Sequence, residues 1–104
     1  MRADLPIGAQ IAQTAHASIE FSMQWHSLVR SWMDSSNNLV VVAVPDELAL
    51  AELITQAVEE GIAHTIVREP DFGNSITAVA LEAGKTASRL CANMPCAGRV
   101  LVPT

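Results

Sequence analysis

Basic charge is scarce in this chain: six lysines and arginines face eleven acids, for a formal net charge of −5. A protein that grips nucleic acid chiefly through phosphates displays a basic face instead. Arg2, Arg30, Arg68, Lys85, Arg89 and Arg99 lie scattered along the sequence, which argues against a strong general nucleic-acid binder and leaves room for a limited contact. Long apolar runs are missing too. Nothing approaches the roughly 20 residues that span a bilayer, and the first residues form no signal-peptide core, so a soluble, cytoplasmic protein without membrane contact is expected. Cysteine is limited to Cys91 and Cys96, whose spacing suits neither a Cys-x-x-Cys zinc pair nor a disulfide framework. They read as free structural thiols. His16, His26 and His64 make no metal-ligand spacing with one another or with the cysteines, so neither a metal nor another cofactor is expected. Aromatics number four in 104 residues while half of the chain is apolar; the core must be built from Ala, Val, Leu and Ile, and this length supports one domain.

What is present is periodic. From Gly8 to about Trp32 the pattern predicts one helix, on which Ile11, Ala15, Ile19, Met23 and Val29 return toward one side and mark it as the core side. Ala9, Gln13, His16 and Glu20 share the opposite ridge, where any chemistry is expected. Trp25 and Trp32, seven apart and nearly aligned, read as packing residues. Ser35-Ser36-Asn37-Asn38 breaks the pattern as a turn. Leu39-Val40-Val41-Val42-Ala43-Val44 is a continuous run, mostly β-branched, that predicts a central strand buried on both faces.

Pro45 stops that strand and Asp46 caps a second helix, whose stripe of Leu50, Leu53, Ile54, Ala57 and Val58 ends before Gly61. Glu47, Glu52, Glu59 and Glu60 read as its solvated face. Two strands follow, Ala63 to Arg68 and Ile76 to Leu81, joined through Gly73-Asn74 as an antiparallel hairpin. Gly84 opens a short helix to about Asn93, Pro95 ends it, and Arg99-Val100-Leu101-Val102 reads as a terminal strand. The order predicts an α/β single domain, a mixed central β-sheet flanked by helices on both faces.

The segment Ala12-Gln13-Thr14-Ala15-His16-Ala17, placed after Gly8, resembles the type-2 peptidyl-tRNA hydrolases, whose first helix carries Gly-Lys-x-Ala-Ala-Gln-x-x-His-Ala. Val40-Val41-Val42, Pro45-Asp46-Glu47, the second helix, Gly61 and Thr77-Ala78-Val79-Ala80-Leu81 resemble the family's later segments in order. Three departures stand out. Ala9 occupies the place of the family lysine. The loop Glu69-Pro70-Asp71-Phe72-Gly73 is shorter than the family's Asp-Ala-Gly-Arg-Thr loop and lacks its Arg-Thr. The family strand that precedes Arg2-Ala3-Asp4-Leu5 is missing or vestigial: the start lies late, the chain is a truncated form, or another segment replaces the strand.

The resemblance implies hydrolysis of the ester between a peptide and tRNA, which needs an activated water, a stabilised oxyanion and a hold on the acceptor end. His16 carries the side chain suited to proton transfer, with Glu69 or Asp71 either orienting it or acting as base. Thr77 matches the family's later threonine. Gly8, whose peptide N–H lies at the helix start, and Gln13 are the substrate-binding candidates. Against this esterase reading stands a second one, a non-catalytic relative that keeps the fold as a binding or dimerisation module. The missing strand exposes a sheet edge, which together with the family habit predicts a homodimer; Val100-Leu101-Val102 is a candidate cover for part of that edge.

Overall fold

The structure, a computed structural model, describes residues 1–98. The predicted terminal strand at 99–102, and with it the proposed edge cover, lies outside the described residues. Among the described residues, four α-helices and two strands follow one another: α1 Ile7–Gln24, α2 His26–Met33, α3 Glu47–Glu60, β1 His64–Glu69, β2 Ser75–Leu81 and α4 Lys85–Leu90. The predicted first helix is therefore two helices. Trp25 leaves the helical region at φ −123° and ψ 45°, and its indole N–H reaches the His64 carbonyl at 3.4 Å. Trp32 donates instead to the Asn38 carbonyl at 2.9 Å, so the two tryptophans pin different segments rather than lining one helix face.

α3 matches its prediction because its ends carry strong local signals. The Asp46 side chain accepts from the Ala49 N–H at 2.9 Å, and Gly61 closes the helix at φ +69°, where a Cβ is disfavoured. Leu50, Leu53, Ile54 and Ala57 are buried, whereas Val58, expected in the same stripe, is exposed.

β1 and β2 pair antiparallel across a 3₁₀ turn at Pro70–Phe72, with Gly73 and Asn74 both at positive φ. The ladder is irregular in one place: Val67 pairs with Ala78 and the next residue, Arg68, with Ile76, leaving Thr77 as an extra residue on β2. A bulge of this kind shifts the phase of side-chain alternation. Ile76, Val79 and Leu81 accordingly pack with Val44, Leu50, Leu53 and Ile54, while Ala78 and Ala80 pack with Ala17 of α1 and Val67. Helices thus cover both faces of the hairpin, α3 on one and α1 on the other.

Regular strand ends there, but isolated pairings carry the ladder further. Arg2 bridges Val44 in parallel, with Ala3 N–H donating to the Val44 carbonyl at 2.8 Å and Val44 N–H to the Met1 carbonyl at 2.9 Å. On its other side the Arg2 N–H meets the Thr77 carbonyl at 3.3 Å. Met1–Ala3 is the vestige of the first strand, inserted between β2 and the Val42–Val44 stretch. Val42 in turn bridges Cys96 in antiparallel sense. The extended run at 39–44 is only half of what was expected. Ala43 and Val44 are buried, but Leu39 is 70% and Val40 69% exposed, and among the described residues the pairing runs no further than Val41.

The largest correction concerns α1. Ile11, Ile19 and Met23, expected in the core, are 66%, 60% and 77% exposed, and Ala15 is exposed with them. The buried residues are Gln13, Ala17 and Phe21. Where α1 crosses Ala78 and Ala80 it presents Ala17 to the sheet; an isoleucine at position 17 would not fit there.

Candidate functional site

Gln13, Thr65 and Thr77 are polar side chains buried between α1 and the hairpin, and Gln13 and Thr77 meet each other there. Thr77 has no exposed surface and Gln13 is 5% exposed. A buried amide and hydroxyl without partners would cost about 1–3 kcal/mol each, and both are satisfied. The Thr77 hydroxyl donates to Gln13 Oε1 at 2.8 Å, with the Val67 carbonyl next nearest at 3.3 Å, and Gln13 Nε2 donates to Glu69 Oε2 at 3.1 Å. The amide orientation follows from the carboxylate, since the opposite orientation would set two acceptors against each other. The other Glu69 oxygen accepts from the Asp71 N–H at 3.2 Å.

The bulge makes this chain of bonds. In an uninterrupted β2, Thr77 would share a face with Val79 and Leu81 and point to α3. The extra residue turns it toward α1 instead. On β1, Thr65, Val67 and Glu69 alternate onto the α1 side, where Thr65 meets Gln24 at 2.8 Å, Val67 meets Ala17, and Glu69 meets Gln13. Arg68 faces the other way, is exposed, and donates to the Asn74 carbonyl at 3.3 Å.

Of the residues singled out from the sequence, Gln13, Glu69 and Thr77 form one continuous hydrogen-bonded chain, and Asp71 joins it through its backbone while its side chain is exposed. His16 and Gly8 do not join. His16 is exposed one helical turn beyond Gln13, with no hydrogen-bond partner among the described residues. Gly8 lies exposed in the first turn of α1; that turn has no side-chain cap and no acidic residue. Nothing stands within 4 Å of where a Gly8 Cβ would be, so local packing makes no demand for glycine.

Sequence reasoning missed two contributors. Glu47, read as part of a solvated face, accepts from the Ile76 N–H at 2.7 Å. Arg2 forks onto the Asp4 carboxylate at 2.9 and 3.0 Å and also donates to Ser75 Oγ at 3.0 Å and the Ile76 carbonyl at 3.1 Å. The Arg2 guanidinium in turn holds the Asp4 carboxyl below its ordinary range. Together these groups fix the β2 backbone beside the bulge. The bulge itself left a signal: the large apolar residues of β2 fall at 76, 79 and 81, a spacing of three and then two that no regular strand supports.

Among the described residues, two arginines hold carboxylates. Arg2 is bound as described and Arg89 pairs with Glu60 at 2.8 Å. Among the described residues, no three His, Cys, Asp or Glu side chains cluster to hold a metal ion, and no helix is long and apolar enough to cross a membrane. Cys91 and Cys96 are free thiols, and burial pushes the Cys91 thiol up.

A family model described as "Peptidyl-tRNA hydrolase PTH2" matches residues 1–91. No curated protein matches the chain.

Proposed function

Because the chain belongs to the PTH2 peptidyl-tRNA hydrolase family, we propose that it hydrolyses the ester joining a peptide, or an N-blocked amino acid, to the acceptor end of tRNA. The observation that carries this reading is the half-buried Glu69 carboxylate, held at Oε2 by Gln13 and at Oε1 by the Asp71 N–H. A carboxylate fixed at both oxygens keeps lone pairs for a water and is oriented before substrate arrives.

In this mechanism Glu69 takes a proton from water as the water oxygen attacks the ester carbon. The tetrahedral oxyanion meets the N–H groups of Gly8 and Ala9 in the uncapped first turn of α1, where the helix dipole favours negative charge. The carbon–oxygen bond to the ribose breaks, and the leaving oxygen takes a proton from His16. Thr77 and Gln13 act through Glu69 by holding it, which moves Gln13 from substrate contact to positioning. Asp71 contributes its backbone N–H, with its exposed carboxylate as the other candidate base. The work belongs to translation in the cytoplasm, and a homodimer is part of the same reading.

Hydrolysis of a purified N-acyl-aminoacyl-tRNA tests it. Turnover by the chain that drops by about 10²–10⁴ in kcat with Glu69→Gln supports the general-base role; turnover indifferent to Glu69→Gln and His16→Ala would sink the assignment. A second reading, a non-catalytic binding or dimerisation module, is favoured by Ala9, by the short Glu69–Gly73 loop and by the formal net charge of −5. It predicts no hydrolysis by the chain, with activity gained in Ala9→Lys if only the catalyst is lost.

A further inference from the structure

The exposed face of α1 repeats apolar residues in steps of four: Ile7, Ile11, Ala15, Ile19 and Met23. The four large ones are 62%, 66%, 60% and 77% exposed. A run of bulky apolar side chains this open, on a helix whose other side is already packed, lacks a partner among the described residues. The order is also a palindrome about Ala15, with isoleucine four residues to either side and a long apolar side chain eight residues to either side. A two-fold axis through Ala15 would set Ile7 against the second copy's Met23 and Ile11 against its Ile19, with the two small Ala15 residues letting the helices approach. The geometry points to a homodimer closed by α1 against α1, antiparallel, around Ala15.

Charge selects a second copy over a charged partner. The chain carries a formal net charge of −5, so two copies meet most easily where acids are absent. Glu20 is the one carboxylate on α1, and it lies about 140° around the helix from Ala15. The exposed apolar residues of α3 do not offer this: Leu48 sits beside Glu47, and Val58 beside Glu59 and Glu60. The stripe is about 24 Å long, and two such faces packed together remove on the order of 1,000 Å² from water, the lower end for a specific interface. The dimer is therefore weak and concentration-dependent. Gln13 faces the sheet and His16 lies about 100° around the helix from Ala15, so the interface leaves the candidate site open.

This inference rests on the homodimer reading and adds the surface. Sedimentation velocity from low to high micromolar concentration is the test. The expected result is a monomer–dimer equilibrium in the unaltered chain that is lost in Ile11→Glu and Ile19→Glu and kept in Leu48→Glu. A chain that stays monomeric throughout would overturn the homodimer reading and this surface together. A dimer that survives both Ile11→Glu and Ile19→Glu would overturn the surface alone. Oxidation of Ala15→Cys, in a chain carrying Cys91→Ala and Cys96→Ala, supplies a readout independent of the charged variants. A symmetric disulfide at the axis is expected, and its failure to form while the dimer is present would overturn the antiparallel register.

Discussion

The two faces of the hairpin are built on opposite terms. On the α3 side, Leu50, Leu53 and Ile54 of the helix pack with Val44, Ile76, Val79 and Leu81, an interior of large aliphatic side chains. On the α1 side, Ala17 of the helix packs with Val67, Ala78 and Ala80 beside the Thr77–Gln13–Glu69 chain, an interior of smaller side chains and satisfied polar groups. The first face supplies stability through buried apolar area. The second brings a helix close enough for its amide to reach a carboxylate on β1, and it leaves the bulky side of that helix facing outward. Adhesion and chemistry are therefore divided between the two sides of one sheet.

Substitutions sharpen that division. Leu50 is fully buried, and Leu50→Ala should lower unfolding stability by about 2–5 kcal/mol, measured by urea denaturation, while the hydrogen bonds of Gln13 persist. An equally large loss from Ala17→Gly, which removes far less apolar area, would blur the two faces into one core. Gln13→Leu comes next. It leaves the Thr77 hydroxyl with the more distant Val67 carbonyl and strips one donor from Glu69, so a loss of about 1–3 kcal/mol is expected, together with a larger fall in kcat than in KM if Glu69 is the base. A Gln13→Leu chain as stable as the parent would mean that the polar chain contributes no cohesion.

The Arg2–Asp4 pair beside the α3 face should matter less. Asp4 is depressed chiefly by its hydrogen bond from Arg2, so its contribution is complete above the ordinary carboxyl pKa of about 4 and is lost as pH falls through the lower folded value. Exposed ion pairs contribute about 0–1 kcal/mol, and the difference in urea midpoint between parent and Asp4→Asn should be present at pH 7 and shrink in acid. The smallest effect belongs to the outward side of α1. Ile11→Ser, at 66% exposure, should change the stability of the monomer by no more than about 0.5 kcal/mol. A loss comparable to that of Leu50→Ala, measured where the chain is monomeric, would mean that this side belongs to the core after all.

Which parts of this were legible beforehand follows from how local their causes are. Asp46, Gly61, Gly73 and Asn74 act through backbone conformation and hydrogen bonds a few residues away, and α3 and the hairpin emerged where these residues predicted them. Gln13, Glu69 and Thr77 were named as candidates from a motif resemblance, yet nothing local joins them, since they lie on a helix and two strands as many as 64 residues apart. Trp25 reads as a helix residue by its flanks, and its indole contact with the His64 carbonyl belongs to tertiary structure. Glu47 resembles any acid at a helix start until the β2 backbone arrives beside it.

The amino-acid sequence by itself determined α3, the hairpin with its turn at Gly73 and Asn74, and the family, because each depends on local chemistry or on residue order. Tertiary structure alone decided which side of α1 is inside. Periodicity places Ile11, Ile19 and Met23 on one side and Ala17 and Phe21 on another, and both sides are apolar enough to be buried. The choice fell to the close approach over Ala78 and Ala80 and to the bulge that turned Thr77 toward Gln13. Both arise from how distant segments fit, and no single segment contains that information.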